Sequence, residues 1–123
     1  MRENIVKEKS LDFAVRIVKL AQYLSAEKKE FILSKQIMRS GTSVGAMVRE
    51  SEHAESKADF IHKLSIAQKE INETLYWLEL LMKTNYLDQN KYSSINADAI
   101  EIIKLLTSII VSARKNIKNK KSK

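Results

Sequence analysis

Cysteine and proline are both absent from the 123 residues, and glycine occurs only twice. Average usage would supply roughly six prolines and nine glycines. Without those turn-formers a chain cannot easily build the many tight turns of a sandwich or barrel, so an all-β fold is all but excluded. Zero cysteine removes disulfides, thiolate zinc sites, iron–sulfur clusters and cysteine nucleophiles together, and fits a reducing compartment. No apolar run approaches the roughly 18 residues of a membrane span. The segment from Met1 to Lys9 alternates charge around no apolar core, which is not the pattern of a secretory leader. What is present is 44% apolar and 30% charged residues, a balance that supports a packed core. The length fits one domain. These observations point to a cytoplasmic, all-helical domain with no membrane partner.

The net charge of +7 is concentrated at one end. Residues 114–123 hold Arg114, Lys115, Lys118, Lys120, Lys121 and Lys123 and no acid, while the other 113 residues carry 16 bases against 15 acids. The chain thus divides into a nearly neutral body, 1–113, and a basic C-terminal tail, 114–123. One reading of the tail is a solubilising terminus. The other is an arm that neutralises phosphates without reading sequence, with those six residues as its nucleic-acid contacts. No aromatic is interleaved, so base stacking from the tail is not supported.

Four helical segments follow from apolar spacing. The first uses Leu11, Ala14, Val15, Ile17, Val18, Ala21 and Leu24, with Phe13 beside the stripe and Ser10 as its expected N-cap. The second uses Phe31, Ile32, Ile37, Met38, Val44, Met47 and Val48. Its centre, from Arg39 to Ala46, is poor in helix propensity, yet Gly41 and Gly45 lie one turn apart, so a continuous helix closely approached by a neighbour is expected. Ser56 followed by Asp59 resembles a capping box and starts the third helix near Lys57. That helix carries Phe60, Ile61, Leu64, Ala67, Ile71, Leu75, Leu78 and Met82. From Leu75 to Met82 it is apolar on nearly all sides, which suggests a subunit interface at Tyr76, Trp77, Leu80 and Leu81. Thr84 to Asp88 reads as a turn. The fourth helix uses Ile95, Ile102, Ile103, Leu105, Leu106, Ile109, Ile110 and Ala113. Short connections make the expected architecture an antiparallel up-and-down four-helix bundle.

Two carboxylate–histidine pairs, Glu50 with His53 and Asp59 with His62, have the spacing used in di-iron bundles. They flank one turn instead of facing each other in mid-core. The other helices offer only Asp12, Asp98 and Glu101, none within a polar core layer, so no metal or cofactor is expected. Glu70 and Glu73 are neighbours on one helix, whereas an acid/base pair must oppose its partner across a cleft. They read instead as members of a structural polar network with Arg39, Ser43 and Glu50, in which Arg39 bridges the second and third helices. No phosphate loop, dinucleotide fingerprint or nucleophile motif occurs. The expectation is a protein without catalytic activity.

The stretches Met38 to Ala46, Arg49-Glu50, Ser56 to Ala67, Lys69-Glu70 and Glu73 to Leu81 together resemble the bacterial four-helix-bundle family linked to intervening sequences of 23S ribosomal RNA genes. The resemblance spans roughly Ser10 to Ile110. Met47 stands where that family commonly has Asn. The family is also similar in shape to the accessory protein of diversity-generating retroelements, a basic pentamer that binds nucleic acid and a reverse transcriptase. The resemblance implies a small homo-oligomer, a five-membered ring, with no established catalysis. It assigns structural roles to Arg39, Ser43, Glu50, Glu70 and Glu73. The ribosomal association comes from gene location. Two functions remain open at this point. One is a non-enzymatic oligomeric scaffold binding RNA, DNA or a nucleic-acid enzyme without sequence preference. The other is a protein–protein interaction module with no nucleic-acid role.

Overall fold

In a computed structural model the chain forms four helices: α1 (Arg2–Ala26), α2 (Leu33–Ser51), α3 (Lys57–Lys83) and α4 (Gln89–Ser122). The structure describes residues 1–122, and of 119–122 the backbone alone. Among the described residues no strand occurs, and no helix is long and apolar enough to cross a membrane. Each helix packs on its sequence neighbours, and α4 returns to α1 to close the ring, while diagonal helices have no Cα atoms within 8 Å of each other. This is the expected up-and-down bundle.

The bundle's axis is filled by one layered core: Phe13, Ile17 and Leu24 of α1, Ile37 and Val44 of α2, Leu64, Ile71, Leu78 and Leu81 of α3, and Ile102 and Leu106 of α4. Helix α1 differs in phase from the sequence expectation. Its buried stripe is Val6, Ser10, Phe13, Ile17, Leu20, Ala21 and Leu24, whereas Leu11 and Val15 are 48% and 46% exposed. Two apolar stripes run side by side on this helix, and Phe13 with Leu20 decides which one faces inward. Ser10, expected as an N-cap, lies mid-helix and buried, its hydroxyl donating to the Lys7 carbonyl at 3.1 Å.

The ends of the helices follow local chemistry. Ser56 caps α3, its hydroxyl accepting the Asp59 N–H at 3.0 Å, and the Asp59 carboxylate accepts the Glu55 N–H at 3.1 Å. This is a displaced form of the expected capping box: the Asp59 carboxylate reaches past the Ser56 N–H to that of the residue before it. Helix α3 ends with Asn85 in the left-handed region (φ 67°) and the Tyr86 N–H returning to the Leu81 carbonyl at 2.9 Å, a Schellman closure. Helix α2 begins later than its apolar spacing predicts. Phe31 and Ile32 sit outside it, 55% and 75% exposed. The Glu30 carboxylate sets that start by accepting the Ser34 N–H at 2.9 Å.

The two glycines explain the α1–α2 crossing. A methyl group at Gly41 would stand 2.7 Å from a side-chain carbon of Ile17, and one at Gly45 would stand 3.3 Å from the Ser10 carbonyl oxygen. The helix through them is continuous, and the absence of two Cβ atoms lets α1 lie against it.

Candidate functional site

The polar network forms between α2 and α3, with fewer members than its sequence version. Arg39 of α2 bonds Glu70 at 2.9 Å and Glu73 through its second terminal nitrogen, reaching two carboxylates one turn apart on α3. The Trp77 indole N–H donates to the same Glu73 oxygen at 3.1 Å. Beneath them, Thr74 and Ser40 share a buried hydroxyl–hydroxyl bond of 2.9 Å. Ser43 does not join: its hydroxyl donates to the Arg39 carbonyl at 2.6 Å, within its own helix. Glu50 does not join either, and pairs with Lys63 at 3.5 Å.

The Trp77 indole N–H, with the Arg39 guanidinium behind it, holds the Glu73 carboxyl below its ordinary value against the opposing effect of burial. Glu73, and then Glu70, holds Arg39 still more firmly protonated. A carboxylate stabilised as an anion by two donors is a poor base and a poor acid near neutrality. The cluster's chemistry is therefore that of a clamp between helices. Its Arg39 side chain is half exposed while Glu70 is 12% exposed, so the clamp sits at the bundle's surface.

Among the described residues, no group of three or more His, Asp or Glu side chains is placed to hold a metal ion. Glu50, His53, Glu55, Asp59 and Lys63 share a shallow surface hollow at the α2–α3 turn.

Helix α3 is covered from two sides, by α2 and by α4, and this changes the meaning of its all-round apolar stretch. Leu81 is fully buried inside the monomer, and Leu75 and Trp77 pack against the same core. Leu80 is half-buried. Only Tyr76, 58% exposed, stands well out, stacked edge-on against Trp77 at 5.0 Å. A bundle helix with two neighbours needs no second subunit to satisfy such a stretch.

An uncovered apolar strip lies instead between α1 and α2. Leu11 and Ala14 of α1 face Thr42 and Ala46 of α2 across a shallow groove, and further along Ala21 and Ala26 face Met38 across a wider one of about 460 Å³. Its small residues give it depth, and Leu11 and Met38 stand exposed along it, with exposed Val15 one turn beyond Leu11 on α1. The signal for it was Leu11, Ala14 and Ala21, members of the apolar spacing of α1 that border the groove.

The basic residues belong to α4, which continues as helix to Ser122 although its last buried residue is Ala113. The segment separated from the body by composition is therefore continuous with it in secondary structure. Arg114, Lys115 and Lys118 are exposed on this continuation. The side chains of Lys120 and Lys121, and Lys123 altogether, lie outside the described residues.

The sequence matches the family model described as 23S rRNA-intervening sequence protein over residues 2–108. The chain belongs to that family. Among solved structures it is similar to a protein of unknown function from the S23 ribosomal protein family of Bacteroides thetaiotaomicron VPI-5482. The two are 63% identical, with a TM-score of 0.89 over 89% of this chain and 98% of that one. No match is found among curated proteins. The matched range includes the glycine-containing α2 and the capped start of α3.

Proposed function

We propose that this protein is a non-catalytic scaffold that assembles with copies of itself. The observation that carries this reading is the exposed α1–α2 groove. It is largely apolar, lined by small side chains and by Leu11, and Val15 stands one turn further on α1; both are nearly half exposed. Small residues let a second helix approach closely, and burying two aliphatic side chains contributes about 2–4 kcal/mol per interface before association costs. The Arg39 clamp supports a non-catalytic reading, because its carboxylates are committed to a cation. Light scattering at micromolar concentration tests assembly. The parent chain is expected to be oligomeric, and Leu11→Glu with Val15→Glu to give smaller particles with unchanged helicity. A monomeric parent protein would overturn the reading.

The scaffold's ligand, in the finer form of this proposal, is the phosphate backbone of RNA or DNA, met at the basic end of α4. Its support is the helical continuation beyond Ala113, which holds Arg114, Lys115 and Lys118 clear of the core. Assembly would multiply these ends on one particle and strengthen an individually weak attraction. Fluorescent RNA and DNA titrated at two salt concentrations decide it. Phosphate binding weakens steeply with salt, whereas apolar docking of a protein partner hardly changes. Salt-independent association with a protein alone would favour the interaction-module reading.

A further inference from the structure

We infer that the crevice at one end of the bundle is a binding site for an amphipathic carboxylate of medium chain length. The crevice has a volume of about 570 Å³ and lies where α1 begins, α2 ends, α3 starts and α4 passes its last buried turn. That volume falls within the range of small-molecule sites. Its floor is apolar: Val6, Val48, Leu64 and Ile109 belong to the core, and Phe60 packs beside them. An acyl chain can therefore leave water without burying polar groups.

The charges at its mouth select the head group. Glu52 is engaged by Lys7 at 3.1 Å, and Glu3 by the chain's own amino terminus at 3.6 Å. The two cations on the lining, Arg2 and Lys57, have no carboxylate partner among the described residues. Arg2 is held in place by neutral acceptors on α4, its guanidinium donating to the Ser112 hydroxyl at 3.0 Å and to Ser108. Such bonds orient the guanidinium and leave its charge uncompensated. Arg114 and Lys115, exposed on the same helix just beyond Ala113, add cationic charge to this end of the bundle. An apolar floor beneath an uncompensated cationic rim fits a ligand with an aliphatic body and one anionic end. A neutral or cationic ligand of the same length would forgo the rim.

Calorimetric titration of the full chain with decanoate tests this, alongside amide chemical-shift mapping. Saturable binding below about 1 mM is expected, with shifts confined to Val48, Ser51, Phe60, Ser112 and their neighbours. Decylammonium and acetate are expected to bind at least tenfold more weakly. Lys57→Gln, at an exposed position, is expected to weaken decanoate about tenfold while leaving thermal unfolding unchanged. Arg2→Gln should weaken decanoate similarly, with circular dichroism confirming that α1 persists although its bonds to Ser108 and Ser112 are lost. Absence of saturable binding, equal affinity for decylammonium, or shifts at the opposite end of the bundle would each overturn the assignment.

Discussion

Arg39 joins two helices, yet half of its side chain remains in water, and that exposure sets how much it contributes. From sequence, Glu70 or Glu73 buried opposite Arg39 predicts a loss of several kcal/mol on Arg39→Ala, because an unpaired charge would remain inside. The observed geometry lowers the expectation to about 1–2 kcal/mol, because a solvated pair contributes little and most of the cost comes from leaving Glu70 unpaired. Urea unfolding of the variant checks this, and a loss above about 3 kcal/mol would show the clamp to be buried in solution. Glu73 adds a pH dependence. Its carboxyl is held below the ordinary range by the Trp77 indole first and Arg39 next. The stability it contributes is therefore fully present above the unfolded carboxyl value, about 4.3, and is lost as pH falls through the lower folded value. Trp77→Phe removes the first donor and should raise the Glu73 pKa towards its unfolded value, so that this carboxylate contributes less stability near neutrality and less is lost on acidification. Carboxyl-carbon NMR titration of both proteins measures it, and superimposable Glu73 curves would count against the assignment. The trio Arg39, Glu70 and Glu73 was legible because its members flank small residues in a register that puts both carboxylates on one face. Ser43 and Glu50 were not separable from it, since only the docked rotation of α2 shows one turned to its own backbone and the other facing Lys63.

Helix α2 shows how a pair of missing Cβ atoms fixes the relation of two elements. At Gly41 an added methyl meets Ile17, whose branched carbons are held in the core and cannot swing aside. Gly41→Ala should cost about 1–2 kcal/mol net, overpacking outweighing the roughly 1 kcal/mol gained in helix propensity. Ile17→Ala removes the obstructing carbons, so the double variant should be no less stable than Ile17→Ala alone. Additive losses in thermal unfolding would place the strain elsewhere. At Gly45 the nearest atom is a backbone oxygen at 3.3 Å, and Gly45→Ala should fall within about 1 kcal/mol of the parent, the propensity gain and the crowding nearly cancelling. The continuity of α2, the Ser56 cap and the turn after α3 could all be read from residue order, because local chemistry decides them. The facing of α1 could not. Its two apolar stripes are adjacent and of similar strength, and only the bulk of Phe13 filling the space between all the helices tells them apart. The exposed groove was hidden for the same reason.

The whole molecule sorts its interactions unevenly. The core ends at Ala113 while α4 runs on, so deleting residues 118–123 should change unfolding free energy by no more than about 0.5 kcal/mol and leave particle size unchanged. If phosphate binding resides there, the same deletion lowers the slope of log affinity against log salt by about 0.7–0.9 for each phosphate no longer neutralised. An identical slope would remove α4's end from the proposed ligand site. The composition of the terminus was plain in the sequence, but its continuation as helix was not, since lysine-rich segments suit a helix and a solvated coil alike. The closed ring of helices has one seam of a different character. Between α1 and α4 the approach is thinnest, and Lys9 with Glu101 and Arg16 with Asp98, each at 2.7 Å, hold its outer edge together with Lys91 over the Tyr23 ring. The other three packings join helices that follow one another along the chain, so they can form early at small loop-closure cost. The α1–α4 seam must bridge the chain's full length and closes last. Its outer ties are charges exposed to solvent, which salt screens. Added salt should therefore speed the opening of this bundle more than it slows its collapse, with α4 peeling away from α1 as the first step of unfolding.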